Sequence, residues 1–208
     1  MTRILVLGTH NRKKGKELER LLAPYGFQLR TLADFPDAVE VVEDGDSFAA
    51  NAQKKAVEQA SRLGQWLIGE DSGLAVDALD GAPGIYSARY TGEDANDKSN
   101  NRYLLEQLTN TPLARRTAHY TCHITLSDPG GNVRADCEAR CHGRIAMEPK
   151  GSSGFGYDPL FEVVEYHRTF GELGETVKSV LSHRSRAIAQ IVPQILVLVE
   201  SGEWAEGH

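Results

Sequence analysis

What the chain lacks narrows it first. No apolar run approaches the roughly 20 residues needed to span a bilayer. Met1-Thr2-Arg3 leads straight into a strand pattern without the apolar region of a secretory leader, so a cytoplasmic protein is expected, with no membrane partner. Basic residues are in deficit: 23 Lys and Arg against 29 Asp and Glu leave a net charge of -6, which argues against a general nucleic-acid surface. Any anionic ligand must therefore be held by local clusters of cations. There is no internal repeat, linker or low-complexity bias, and at 208 residues a single domain covering 1–208 is expected. Cysteine is scarce: three, an odd number, point to reduced thiols in place of a disulfide framework.

The cysteines also fit a zinc site poorly. Cys137-Glu138-Ala139-Arg140-Cys141-His142 lies near His119 and His123 in sequence, but the spacing matches no strong metal pattern. Parity offers a simpler account. Ala118, Tyr120, Cys122, Ile124 and Leu126 alternate with Thr117, His119, Thr121, His123 and Thr125, which predicts a half-buried strand. Val133, Ala135, Cys137, Ala139 and Cys141 alternate likewise with charged residues. The turn Asp128-Pro129-Gly130-Gly131 between them predicts an antiparallel hairpin with the thiols as small core residues.

The most informative stretch is Glu70-Asp71-Ser72-Gly73-Leu74, which follows the short apolar run Trp66-Leu67-Ile68 and precedes the loop Gly81-Ala82-Pro83-Gly84. Two carboxylates at the end of a buried strand are costly unless a cation or donors balance them. Hard oxygen ligands there suit Mg²⁺, which takes one or two carboxylates and completes its shell with phosphate and water. A strand-to-loop turn with solvated acids is the plainer alternative.

Elsewhere cations sit where a helix would not choose them. The apolar run Ile4-Leu5-Val6-Leu7-Gly8 predicts a strand buried on both faces, followed by Thr9-His10-Asn11-Arg12-Lys13-Lys14 and a helix with Leu18, Leu21 and Leu22 on one stripe. With Asn11 as N-cap, the turn offers backbone N–H groups to an anion. Lys13 and Lys14 oppose the helix dipole unless an anion is bound. The same oddity recurs at Ser182-His183-Arg184-Ser185-Arg186, ahead of a long apolar helix that Pro193 should kink. A second strand is expected from Gln28 to Leu32, and a helix from Ser47 to Leu63 with small residues at 52, 56 and 60. On that helix Asn51 and Lys55 share a face, where Lys55 could reach a phosphate or simply be solvated. A further helix is expected from Asp97 to Leu108, and a frayed tail from Ser201. The loop Gly151 to Pro159 lets backbone approach a ligand and leaves Phe155, between two glycines, able to stack on a flat ring; a structural turn is the alternative. Together these segments suit a magnesium nucleoside triphosphate, whose roughly four negative charges need several Lys or Arg contacts besides the metal.

Six segments in register carry a resemblance. They are Thr9 to Lys14; Glu43-Asp44-Gly45-Asp46-Ser47-Phe48 with Asn51 to Ala56; Glu70 to Leu79; Gly81 to Tyr90; Gly154 to Pro159; and Lys178 with Ser182-His183-Arg184. On these, nearly the whole chain resembles the inosine triphosphate pyrophosphatase family (Ham1-like, RdgB-like), which acts on non-canonical purine nucleoside triphosphates. The resemblance implies an α/β fold: a long central mixed sheet flanked by helices, with two lobes and a cleft, assembled as a homodimer. It implies Mg²⁺-dependent hydrolysis of ITP, dITP and XTP to the monophosphate and pyrophosphate. Carried over by position, Asp71 becomes metal ligand and proton acceptor. Thr9, Asn11 and Lys14, within the stretch that also holds His10, Arg12 and Lys13, take the phosphates with Lys55 and Ser72. Phe155, Gly156, Tyr157, Asp158, Lys178, His183 and Arg184 form the nucleoside side, with His183 and Arg184 donating to the 6-oxo group.

The chain departs from many relatives in Glu70 for Asp, Ala50 for Glu, and Val42 where some have a metal-binding Glu. Glu43 is the nearest substitute, so Glu43 and Glu70 join Asp71 as expected metal ligands. A hydrolase of modified pyrimidines would share the phosphate residues, as would a non-catalytic nucleotide sensor, although Glu70 and Asp71 argue against the latter.

Overall fold

A computed structural model describes residues 3–204. The elements are β1 (Ile4–Gly8), α1 (Arg12–Leu22), β2 (Gln28–Thr31), α2 (Phe48–Leu63), β3 (Leu67–Val76), α3 (Asp97–Gln107), β4 (Thr117–Ser127), β5 (Val133–Ile145), β6 (Phe161–Val163), β7 (Arg168–Thr169), α4 (Phe170–Leu181) and α5 (His183–Glu200). The strands form one seven-stranded mixed sheet in the order β2-β1-β3-β4-β5-β6-β7. β1 runs parallel to β2 and β3, while β6 is antiparallel to β5 and β7. Among the described residues no helix is long and apolar enough to cross a membrane.

The chain divides into two compact units. Unit 1 takes the chain up to Asp71, Cys122–Ala139 and everything from Arg184 onward; unit 2 takes Ser72–Thr121 and Arg140–His183.

In unit 1 the β1 run behaves as its composition dictates. Leu5 and Leu7 join Ile68, Cys122, Ile124 and Leu126 in a core closed by Leu18 and Leu22 of α1 and by Ala187, Ile188, Ile191 and Ile195 of α5. Val6, on the other face, meets Leu67, Leu32 and the small residues Ala56 and Ala60 of α2. A strand with both faces covered needs no polar alternation. The small stripe lets α2 lie against the β3 backbone: a Cβ added at Gly69 would strike the Ala52 carbonyl and come within 2.6 Å of the Ala56 nitrogen. α5 continues as one helix through Pro193.

Three expectations are corrected. β3 does not end at Ile68 but runs on through Glu70 and Asp71 to Val76. Leu74 and Val76 are fully buried in the core of unit 2, and the two acids have charged partners, so neither halts the strand. β4 is not half-buried: Thr121, His123, Thr125 and Ser127 are buried along with its apolar residues. Alternation shows which face carries hydroxyls and imidazole but not whether that face is covered. The tail is not frayed up to residue 204. Trp204 stacks on Trp66 with ring centroids 4.3 Å apart and donates its backbone N–H to the Leu198 carbonyl at 2.9 Å. The end of the tail, 205–208, lies outside the described residues.

Unit 2 gathers Leu74, Val76, Leu104, Leu108, Ala118, Tyr120, Tyr157, Leu160, Phe161 and Phe170. Buried Arg116 donates to the carbonyls of Leu108, Thr111 and Ala146 at 2.7, 2.9 and 3.2 Å, so the polar ends of α3 and β5 are satisfied inside the unit. The cysteines fall as parity predicts, all three buried. Burial, aided by Asp136, pushes the Cys137 thiol up to about 12.

Replacing Gly69 by Ala should cost about 3 kcal/mol, because backbone on both sides of the clash must shift. Urea denaturation followed by circular dichroism would measure the loss.

Candidate active site

In unit 1 the interior of β3 carries two carboxylates to opposite sides of the sheet, as neighbours in a strand must be. Asp71 faces α2. Its Oδ2 accepts from Asn51 Nδ2 at 3.2 Å and its Oδ1 from Lys55 Nζ at 3.3 Å. The spacing of one turn on α2 therefore delivers both donors to one carboxylate. Asn51 also accepts the backbone N–H of Gly45 at 2.8 Å, which pins the turn before α2. That turn presents Glu43, whose Oε2 lies 3.1 Å from the same Lys55 ammonium. Lys55 is buried, so the solvated-face alternative is corrected. Burial holds the Asp71 carboxyl above the ordinary carboxylate range, with Lys55 and Lys14 pulling the other way.

Glu70 faces α1 and α5. Arg184 Nη2 donates to its Oε1 at 2.9 Å, Lys14 Nζ lies 3.1 Å from its Oε2, and the Cys122 thiol lies 3.4 Å from Oε1. Arg184 also pairs with Glu17 through Nη1. Burial works against the charge on Arg184, but Glu70 and Glu17 outweigh it and raise its proton affinity. Burial likewise opposes the charge on Lys14, and Glu70 again prevails. Burial and then Glu70 keep Cys122 protonated.

The start of α1 differs from expectation in one respect. The Asn11 side chain caps Lys13 and Lys14 backbone N–H groups at 3.0 and 3.2 Å, and Thr9 Oγ1 accepts from Asn11 N at 3.1 Å. The first-turn donors expected to await an anion are thus partly occupied by the cap itself. His10, Asn11, Arg12 and Lys13 are exposed, with His10 Nε2 at 3.5 Å from the Val39 carbonyl.

In unit 2 the glycine loop is built around Asp158. Its Oδ2 accepts from Phe155 N at 2.8 Å and from Lys178 Nζ at 2.6 Å. Gly154, at φ 79°, must remain without a side chain, because a Cβ would run into that carboxylate. Lys178 Nζ sits 4.2 Å from the centre of the Phe155 ring. Phe155 is therefore half-buried with a cation on its ring, not bare of packing as expected. Asn101 Nδ2 donates to the Gly156 carbonyl at 3.0 Å and the Tyr157 hydroxyl to the Ser87 carbonyl at 2.9 Å. His183 is buried and stacks on Tyr120, centroids 4.6 Å apart and rings 12° from parallel. Ser72, half-buried on β3, is the first residue of this unit in that strand.

The sequence model of the Ham1 family matches residues 5–194. The chain belongs to the Ham1 family. It is 56% identical over 197 residues to the dITP/XTP pyrophosphatase of Rhodopirellula baltica, covering 95% of each chain. It is 48% identical over 184 residues to that of Desulforamulus reducens, covering 88% of this chain and 91% of the relative. Among solved structures, a HAM1 protein from Coxiella burnetii matches with TM-score 0.85 and 34% identity, over 96% of this chain and 100% of the other. The dITP/XTP pyrophosphatase of Mycobacterium abscessus matches at 0.74 and 41%, over 91% and 99%.

Within this Ham1 chain the expected residues fall into three groups: Asp71 with Lys55 and Glu43, Glu70 with Lys14 and Arg184, and Phe155 with Asp158 and Lys178. Glu70, expected beside Asp71 as a metal ligand, is turned to the other side of the sheet. Arg184, expected with His183, faces Glu70 and Glu17. Two participants, Glu17 and Asn101, carried no signal in the sequence: each makes its contact through a residue far along the chain. Among the described residues no group of three or more His, Cys, Asp and Glu side chains gathers around a point. Asp71 and Glu43, already sharing one cation, fit a Mg²⁺ ion that takes one or two carboxylates and leaves its other positions to phosphate.

Because burial raises Asp71, the folded chain holds that proton to higher pH than the unfolded chain does, and the wild type loses stability as pH rises through that interval. Asp71→Asn has no proton to lose there, so this loss is absent in the variant. In the absence of divalent cations the variant should melt no lower than the wild type near neutral pH. Its advantage should grow above the ordinary carboxylate value of about 3.9 and level off once Asp71 is ionised in the folded state. Melting temperatures from pH 3 to 9 (roughly the span of carboxylate titration) would test this.

Proposed function

We propose that this chain hydrolyses non-canonical purine nucleoside triphosphates, of the dITP and XTP class, to the monophosphate and pyrophosphate. The observation that carries the reading is the buried Asp71 carboxylate sharing the Lys55 ammonium with Glu43. The names of the relatives at 56% and 48% identity support the substrate class. Mg²⁺, which Asp71 and Glu43 would hold, supplies neutralisation of phosphate charge and makes water more acidic. Asp71, with its raised proton affinity, accepts the proton of the attacking water as the new oxygen–phosphorus bond forms and pyrophosphate leaves. Lys55 and Lys14 offset charge on the polyphosphate, with Thr9, Asn11 and Ser72 as further phosphate contacts.

The base falls to Phe155, Gly156, Tyr157, Asp158, Lys178 and His183. Donors aimed at a 6-oxo group would face the amino group of adenine donor to donor and be left unpaired, a penalty that discriminates strongly. His183 carries this role more readily than Arg184, whose guanidinium is engaged by Glu70 and Glu17. The working form is taken to be a cytoplasmic homodimer with no nucleic-acid or membrane partner.

Pyrophosphate release from dITP, XTP, dUTP, ATP and GTP, with and without Mg²⁺, tests the reading. Turnover of dITP and XTP should exceed that of ATP by about 100-fold in kcat/KM and should vanish on chelation. Preference for dUTP would point to a pyrimidine enzyme, and binding without turnover to a sensor. Asp71→Asn should lower kcat by roughly 10³-fold.

A further inference from the structure

Cations in the first turn of a helix oppose its dipole, yet α1 carries Lys14 and α5 carries Arg184 there. Both meet the same carboxylate. Glu70 binds Arg184 through Oε1 at 2.9 Å and Lys14 through Oε2 at 3.1 Å. Glu70 and Arg184 are each 1% exposed, while the Lys14 side chain retains 18% exposure. The carboxylate is thus deep, and of these two cations Lys14 is the one that reaches toward solvent. Glu70 also stands on the opposite side of β3 from Asp71, away from Glu43.

We infer that Glu70 is a positioning residue: its carboxylate holds the Lys14 ammonium in place for a polyphosphate and does not ligate the metal. The inference rests on the proposed function for the identity of the ligand. An ammonium has three donors, so one can stay on Glu70 while others turn to phosphate oxygens. Without the carboxylate charge, Lys14 and Arg184 repel each other, and the long Lys14 arm regains the rotamer freedom that binding must then remove. Loss of Glu70 should therefore weaken grip on phosphate through Lys14 and leave the demand for metal unchanged.

A double-mutant cycle on the full chain separates these roles. Binding of inorganic tripolyphosphate is measured by calorimetry in EDTA for the wild type, Glu70→Gln, Lys14→Gln and the pair. The Mg²⁺ midpoint for dITP turnover is measured alongside. Glu70→Gln and Lys14→Gln should each weaken tripolyphosphate about tenfold, and the pair should be no worse than either alone, since coupled neighbours do not add. The Mg²⁺ midpoint of Glu70→Gln should stay within about twofold of the wild type.

Unchanged tripolyphosphate affinity, additive losses in the pair, or a Mg²⁺ midpoint shifted about tenfold would each overturn the inference. If Glu70→Gln does not fold, Glu70→Asp keeps the charge on a shorter arm. It should show a partial loss that Lys14→Gln masks, and an undiminished affinity overturns the proposal equally. Should the wild type fail to hydrolyse dITP, the functional reading falls, while the tripolyphosphate cycle still judges Glu70.

Discussion

Two carboxylates in the middle of a buried strand impose the constraint that the rest of the structure answers. An ionised acid out of water is tolerated only when paired and hydrogen-bonded. Here each acid is met from its own side: Asp71 by Lys55 and Asn51 of α2, Glu70 by Lys14 of α1 and Arg184 of α5. Three helices are thus committed to delivering polar groups to two consecutive residues. The cations placed against their own helix dipoles are explained by the same need. Charge pairing of this kind contributes little net stability over an apolar alternative, which is in keeping with the proposed part of these charges in holding an anionic ligand.

The two carboxylates then divide the labour. Asp71 keeps a partly relieved charge, a raised proton affinity and a neighbouring Glu43, which suits the proton and cation handling proposed for it. Glu70 has a cation beside each oxygen, which suits the positioning role inferred for it. In unit 2 Asp158 repeats such pairing on a smaller scale. Buried with Lys178, it fixes the backbone of Phe155 and holds the glycine loop in one shape. Loops ordered by an internal ion pair can present a ring and a carbonyl to a ligand without paying to order them at binding.

Much of this was legible in the sequence because it is local. The apolar run of β1, the Asn11 cap, the α2 stripe of small residues and the β4–β5 hairpin all depend on residues a few positions apart, and each appears where the pattern put it. The Asn51 and Lys55 spacing even foretold a shared face. The extent of β3 was hidden, since acids read as a strand end until their partners are known. Those partners are remote: Arg184 lies 114 residues from Glu70 and 167 from Glu17, and no period in the chain records such a pairing. The family resemblance named residues for a site but could not say which side of a strand each would face.

The stacking of Trp66 on Trp204 has a spectroscopic corollary. These are the two tryptophans of the chain, and both belong to unit 1, whereas six of the seven tyrosines belong to unit 2. Indole emission is therefore a reporter confined to one half of the molecule, blind to loosening in the other. Excitation of phenol rings, or a probe attached near Tyr157, is what would make the second half visible.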